Sequence, residues 1–310
     1  MELIRGIYNI SDTHKGCVVT IGNFDGVHLG HLSVLRQVKQ KAEALQLPST
    51  VVVFEPQPAE FFAPVKAPAR LTRWRDKYQL LKQHVDRLLV IRFNAEFAQM
   101  TAEAFVQDIL VGKLGVRHLV VGDDFRFGKQ RAGNFALLQA AAEKNNFTLE
   151  DTHTHSLQGG RVSSTAIRQA LKQGEFNKAS ILLGRDYSMQ GRVVHGQKKG
   201  RQIGFPTANL LLGRKKSPLT GVFAVTVKVA GCIYYGVANI GHRPTVAGQG
   251  EQLEVHLFDF SDNLYGQQIE VFFCKKLRSE QKFDSFALLQ QQIQIDSEQA
   301  KAFFGCQTSS

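Results

Sequence analysis

A chain of 310 residues with 43% hydrophobic side chains suits one large or two ordinary domains and excludes a disordered polymer. Residues 1–184 carry 23 basic and 17 acidic groups (net +6) and residues 185–310 carry 15 and 10 (net +5), so the total of +11 is not a basic tail and suits small anions as well as nucleic acid. Cys17, Cys232, Cys274 and Cys306 form no C-x-x-C pair, MELIRGIYNI lacks a signal-peptide core, and no apolar run nears the ~18 residues of a spanning helix; reduced thiols and a cytoplasmic protein are expected. In chain order, the β-branched run Cys17–Ile21 reads as a buried strand, and Gly22, Gly26 and Gly30 as a tight turn. Helical spacing covers Leu29–Leu45, and TVVVFEPQP (Thr50–Pro58) is a second strand whose Pro56 and Pro58 fix an extended loop. A helix over Arg73–His84, a strand over Arg87–Phe93 and a helix over Ala102–Leu110 follow. HLVVGDDFRFG (His118–Gly128) is a fourth strand running into a turn, and Asn134–Asn145 is an amphipathic helix. This alternation predicts βαβ units and a mostly parallel sheet.

Near Leu183 the pattern changes. Short alternating strands are expected at Ser188–Val194, Val222–Val229, Ile233–Ala238, Leu253–Phe258 and Gln268–Phe273, with Ala230-Gly231 as a hairpin turn. They predict a small antiparallel barrel followed by one helix, about Phe283–Phe303, with the domain boundary near Gly184. The fold class is thus an α/β Rossmann-like domain, 1–184, then a barrel domain, 185–310.

Five places carry candidate chemistry. His28 and His31 sit where a strand's carboxyl end feeds a helix amino terminus, a position suited to phosphate, and fall on one helix face. Ser163, Ser164 and Thr165 read either as plain helix caps or, with Arg168, as phosphate donors. Gly196, Gly200 and Gly204 with Lys198, Lys199 and Arg201 make a basic loop, either solvated or phosphate-binding; it lacks the G-K-[ST] ending of a Walker A motif. Thr207 and Asn209, two apart in an extended segment, share a face as a hard Mg²⁺ ion would require. In LEVHLF, Glu254 alternates with the apolar Leu253, Val255 and Leu257; it is either a solvent-facing residue or a carboxylate placed to take a proton from an attacking alcohol.

GNFDGVHLGH resembles the H-x-G-H signature of nucleotidyltransferases, and the whole chain resembles bacterial bifunctional riboflavin kinase/FAD synthetases. The resemblance implies a nucleotidyltransferase domain followed by a riboflavin kinase-like barrel, acting successively on riboflavin, FMN and ATP to yield FMN and FAD. It implies that Gly22, Phe24, His28, His31, Asp124, Ser164, Thr165 and Arg168 bind ATP, the histidines stabilising phosphate charge. It places flavin against Phe54, Pro56, Pro58, Phe125 and Phe127. Some members carry Asn in place of Asp124, whose carboxylate would repel a triphosphate without a cation or hydrogen bond between them. GRQIGFPTANL is similar to the kinase signature: Gly196, Lys198, Gly200, Arg201, Gly204, Phe205, Pro206, Thr207 and Asn209 then bind ATP and Mg²⁺, Glu254 is the catalytic base, and Arg278 bounds the flavin pocket. Expected partners are small molecules, without nucleic acid or membrane; a homo-oligomer stays open. The rival reading, a single-strand nucleic-acid binder, rests on the charge and the barrel, but its lysines cluster in turns at Lys198–Lys199 and Lys215–Lys216.

Overall fold

Val18, Val19 and Ile21 favour an extended backbone, and every residue of β2 (Cys17–Ile21) is buried, as a strand covered on both faces requires. In this computed structural model, which describes residues 1–152, 156–157, 160–196, 204–212, 216–245 and 248–306 (backbone alone at 156, 157, 160 and 242–250), the chain forms two compact units. One comprises Met1–Pro68 and Trp74–Ser163, the other Ala69–Arg73 and Ser164–Ser310.

In the first unit β2 is central. It is flanked by β3 (Ser49–Glu55) and β5 (Val116–Val121) in a six-stranded parallel sheet, completed by β4 (Arg87–Arg92), β1 (Glu2–Arg5) and β6 (Thr148–Asp151) in the order β1-β4-β3-β2-β5-β6. The chain winds outward from β2 through β3 and β4, then crosses to β5 on the other side. The carboxyl ends of β2 and β5 therefore form a topological switch point, where open α/β sheets bind ligands. Helix α1 (Leu29–Leu45) buries Leu35, Val38 and Ala42 and ends at Gln46 in the left-handed region. Pro58 opens a short helix α2 (Pro58–Phe62), so the extended loop expected after Pro56 does not continue; Pro58's fixed φ suits a first helical position. Helix α3 is Trp74–Leu81, and α4 (Ala95–Ala98) follows β4. The helix expected over Ala102–Leu110 is one α-turn, α5 (Ala102–Ala104), continuing as a π-helix from Phe105 to Lys113. Asn134 caps α6 (Phe135–Asn145), accepting the Leu137 amide at 2.9 Å, and a two-stranded antiparallel ladder of β7 (Ser156–Leu157) and β8 (Gly160–Arg161) follows β6.

The second unit opens with α7 (Ser164–Gln173) and α8 (Phe176–Leu183). Six antiparallel strands close a barrel in the order β10-β13-β12-β11-β14-β9. They are β9 (Ser188–Val194), β10 (Ala208–Leu211), β11 (Gly221–Val229), β12 (Cys232–Thr245), β13 (Gly248–Leu257) and β14 (Gln268–Arg278). Ala230 (φ 47°) and Gly231 (φ 93°) make the hairpin turn between β11 and β12. Helix α9 (Phe286–Phe304), capped by Ser285, packs Ala300 and Phe304 against Val222, Ala224 and Val237 on the barrel. Among the described residues no helix is long and apolar enough to cross a membrane.

Asp86, the residue before β4, ties that strand to Ser49, the first residue of β3. Its carboxylate accepts the Ser49 amide at 2.9 Å, the Ser49 hydroxyl at 2.7 Å and the Lys39 ammonium at 2.9 Å. Burial alone would raise this carboxyl, but those donors hold it at about 2, below its ordinary 3.8. A depressed folded value stabilises the protein above pH ~4, and the contribution is lost as pH falls through about 2. Asp86→Asn should lower the stability of the first unit at pH 7 by on the order of 1 kcal/mol, the exposed Lys39 contact adding little. The gap should narrow between pH 5 and pH 2 in thermal melts; a gap independent of pH would contradict this account.

Candidate active sites

The two histidines cap their own helix. His28 is extended (φ −83°, ψ 174°), and its Nδ1 accepts the His31 amide at 3.3 Å while His31 Nδ1 accepts the His28 amide at 3.3 Å. The rings stack with centroids 3.6 Å apart at 16°. A nitrogen that accepts a hydrogen bond carries no proton, so each neutral imidazole holds its N–H at Nε2. The arrangement puts two Nε2–H donors on stacked rings at the positive end of a 17-residue helix, beside the sheet's switch point.

The loop feeding this cap differs from the expected glycine turn. Positive φ falls at Phe24 (47°), Gly26 (85°) and Val27 (40°), whereas Gly22 and Gly30 provide close approach instead. A Cβ on Gly22 would lie 3.1 Å from the Phe24 ring, and one on Gly30 would lie 3.2 Å from the His28 ring and 3.3 Å from the Val162 carbonyl. Phe24, 3% exposed, packs in the core with its ring 5.0 Å from that of His31. It therefore backs the histidine.

Asp124 follows β5, and its Oδ2 accepts Arg161 Nη2 at 3.1 Å. Both side chains are largely exposed, so the pair sits at the surface just beyond β5. The aromatic candidates form one array: Phe54 meets Phe97 at 5.7 Å, Phe97 meets Phe105 at 6.1 Å, Phe105 meets Phe127 at 5.6 Å and Phe127 stacks on Phe125 at 5.4 Å. Phe127 is core and Phe125 half-buried; Pro56 is exposed and Pro58 half-buried. Phe93, Phe97, Phe61 and Phe62 were missing from the sequence expectation. Phe93 contacts Phe54, Phe61 and Phe62 at 5.9, 5.5 and 5.6 Å. The Phe61-Phe62 pair just after P-x-P was the available signal.

Ser164, Thr165 and Arg168 lie on α7 in the second unit, with Ser164 its first residue. Arg168 Nε donates to the Ala69 carbonyl at 2.6 Å, a backbone partner the sequence could not reveal.

In the barrel, β10, β13 and β12 place Asn209, Glu254 and Asn239 directly opposite one another. The neighbouring row, Leu210, Leu253 and Ile240, is fully buried. Successive strand residues face opposite sides, so the polar row lies on the face away from the barrel interior. Asn239 is the member of the row that sequence reasoning missed. Asn209 Oδ1 accepts Gln252 Nε2 at 2.7 Å, and its Nδ2 donates to the Thr207 carbonyl at 3.3 Å. A Cβ on Gly196 would collide with the Asn209 amide, so the start of the glycine-rich loop packs directly on it. Gly204 has φ +83° in open space. Thr207 and Pro206 line a cavity of about 460 Å³, with Val193, Val255, Leu257 and Tyr265 among its other walls. His256 Nδ1 donates to the Pro206 carbonyl at 2.9 Å and its ring meets Phe205 at 5.3 Å. Burial, opposed by that hydrogen bond and aided by the Lys301 charge, holds His256 below its usual pKa, so the ring is neutral. Arg278 is held by Asp296 of α9 through Nε (2.9 Å to Oδ1) and Nη2 (2.8 Å to Oδ2), with the Phe283 ring 5.6 Å away. Lys198, Gly200 and Arg201 lie outside the described residues.

Family models match residues 10–166 as FAD synthetase and residues 183–304 as riboflavin kinase. The bifunctional riboflavin kinase/FMN adenylyltransferase of Haemophilus influenzae is 53% identical over 306 residues, covering 98% of this chain and 99% of that protein. The chain belongs to the bifunctional riboflavin kinase/FMN adenylyltransferase family. Relatives of the same name from Pseudomonas fluorescens and Escherichia coli K12 are 50% and 51% identical, covering 97% and 98% of this chain and of themselves. A crystal structure described as a macrolide-efflux protein from Streptococcus pneumoniae matches at TM-score 0.79 and 30% identity, over 97% of this chain and 99% of that one. For a bifunctional riboflavin kinase/FMN adenylyltransferase, the close packing at Gly30 gives a selective test. Gly30→Ala should push the His28 ring aside by a few tenths of an ångström and lower FAD formation about tenfold, with FMN formation unchanged. Wild-type FAD formation in this variant, assayed from supplied FMN, would contradict the packing argument.

Proposed function

We propose that the chain makes FMN in its barrel and FAD in its parallel-sheet domain by the residues described above, with the division of labour at Gly184. The activities are those of the family: riboflavin is phosphorylated by ATP, and FMN is adenylylated with release of pyrophosphate. The observation that carries the residue assignment is the reciprocal histidine cap, which gives two preset N–H donors at a helix amino terminus.

For adenylyl transfer, an FMN phosphate oxygen attacks the α-phosphorus of ATP, and the bond to the pyrophosphate oxygen breaks. His28 and His31 donate Nε2–H to the phosphate oxygens as negative charge shifts toward the leaving group. Gly22 and Phe24 shape the loop beneath them, and Asp124, held by Arg161, faces ribose or base rather than phosphate. From their sequence pattern alone we assign Ser164, Thr165 and Arg168 as hydroxyl and guanidinium donors to ATP phosphates. The loop bearing Phe54, Pro56 and Pro58, with Phe125 and Phe127 behind it, takes the flavin ring by aromatic contact. Positioning and charge stabilisation suffice, with no covalent enzyme intermediate.

For phosphorylation, the riboflavin 5′-hydroxyl attacks the γ-phosphorus and the bond to the ADP oxygen breaks. Glu254 accepts the hydroxyl proton, and Asn209 and Asn239 on either side hold that carboxylate's surroundings polar. Thr207, Pro206 and the neighbouring cavity seat the nucleotide, with Gly196, Gly204 and Phe205 framing it; we assign Lys198, Gly200 and Arg201 the same role from their sequence. Mg²⁺ fits here, because Asn209 Oδ1 has a second lone pair beyond its Gln252 bond and Thr207 adds a hydroxyl oxygen, hard donors that leave remaining positions to phosphate. When bound, the ion neutralises charge on the β- and γ-phosphates. Arg278 keeps α9 in place beside the flavin. The net charge of +11 then serves anionic nucleotides in a cytoplasmic enzyme rather than nucleic acid.

Separation of flavins after incubation with riboflavin, Mg²⁺ and ATP tests this. His28→Ala with His31→Ala should stop FAD formation, each lost donor costing about 10²–10³ in turnover, while FMN accumulates. Glu254→Gln should stop FMN formation yet leave supplied FMN convertible to FAD. Loss of both activities from either folded variant would overturn the two-site assignment.

A further inference from the structure

Helix α3 carries a lysine where its packing pattern calls for an apolar residue. Trp74, Lys77, Tyr78 and Leu81 follow the i, i+3, i+4, i+7 spacing of a buried stripe; Trp74, Tyr78 and Leu81 pack in the cluster that contains Phe24 and Val27. Lys77 is 0% exposed, one of the largest fully buried side chains described. Its Nζ donates to the Asn23 carbonyl at 2.7 Å. A buried ammonium is expensive, and lysine is almost never fully buried unless a polar partner such as this carbonyl holds it.

The accepting carbonyl belongs to the loop between β2 and α1. Asn23 immediately precedes Phe24 (φ 47°), and Val27 (φ 40°) immediately precedes His28. A left-handed β-branched residue is strained and persists only where its surroundings over-determine it. Burial of the Phe24 and Val27 side chains fixes one side of the loop. The hydrogen bond from Lys77 fixes its backbone at Asn23, five residues before the His28 amide that closes the reciprocal cap.

We propose that Lys77 is a positioning residue for adenylyl transfer, its buried ammonium pinning the Asn23 carbonyl so that the strained loop aims the two imidazoles at the phosphates of ATP. This rests on the reading of His28 and His31 as phosphate donors. A misaimed donor pair lowers the rate of the chemical step more than it lowers ground-state affinity, since the donors matter most where charge develops.

The full-length protein supplies its own controls. Riboflavin phosphorylation reports on the other unit, and Trp74, the single tryptophan, reports folding of the first unit by fluorescence. Lys77→Met and Lys77→Gln should keep native Trp74 emission and unchanged kinase turnover. Their adenylyl-transfer kcat should fall on the order of 10²-fold, with KM for ATP within about threefold. Lys77→Arg, which retains the charged donor, should recover at least about tenfold of that loss. A folded Lys77→Met with wild-type kcat overturns the proposal, as does a loss confined to KM, which would mean direct nucleotide contact. Unfolding of the first unit in both Met and Gln variants also overturns it, because the residue would then serve the fold alone. His28→Ala measured in parallel separates the failures: if it retains FAD formation the phosphate-donor reading falls, and if it loses FAD formation while Lys77→Met does not, the Lys77 proposal falls by itself.

Discussion

A pair of side-chain-to-backbone hydrogen bonds shapes the candidate site of the first unit. His28 and His31 each accept the other's amide at Nδ1, satisfying donors that the start of any helix leaves orphaned. The same bonds set the tautomer and hold the two rings in a stack. Cap and candidate catalytic apparatus are one object here. The surrounding features follow from its needs: the approach allowed at Gly30, the Phe24 ring against His31, and the left-handed backbone at Phe24 and Val27. A helix end held by serine or aspartate would be capped as well, but would present no paired N–H donors to an anion.

The second unit solves phosphate chemistry by another route. Its candidate base is on a strand, and strand geometry places it: period two puts Leu253 inside the barrel and Glu254 on the opposite face, between Asn209 and Asn239. A one-residue slip of β13 would bury the carboxylate and expose the leucine, so hydrophobic burial enforces the register that the proposed chemistry needs. Packing of Gly196 on the Asn209 amide and the hydrogen bond from His256 to Pro206 attach the preceding loop to that row. Helix-end donors suit stabilisation of charge on a transferred nucleotidyl group; a carboxylate beside oxygen donors suits activation of an alcohol.

The parts legible in the sequence were those where local signals agreed. Cys17–Ile21, Leu29–Leu45 and Ser188–Val194 coincide with their elements, because β-branching, helical periodicity and strict alternation each point one way. Elements whose signal depends on tertiary context were missed or misjudged. β10 is only four residues long and was visible merely as an extended segment; β1 and β6 are short sheet edges; the π-helix at Phe105–Lys113 looks like an ordinary α-helix in its residue spacing. Among site residues, types at fixed spacing could be read, whereas partners distant in sequence could not. Arg161 opposite Asp124, Ala69 under Arg168, Asp296 on Arg278 and Lys77 on Asn23 all arise from packing of separate segments. The glycines show the same division: three looked like turn residues, yet Gly26 alone has positive φ, while Gly22 and Gly30 make room for neighbouring rings.

The central claim is that both imidazoles hold their proton at Nε2 because the backbone occupies each Nδ1. Two-bond nitrogen–proton NMR spectra of histidine-labelled protein, assigned with single His28 and His31 variants, test it directly. The account predicts an unprotonated Nδ1 and a protonated Nε2 on both rings at neutral pH. A proton on Nδ1 of either ring, as the opposite tautomer or as imidazolium, would contradict it.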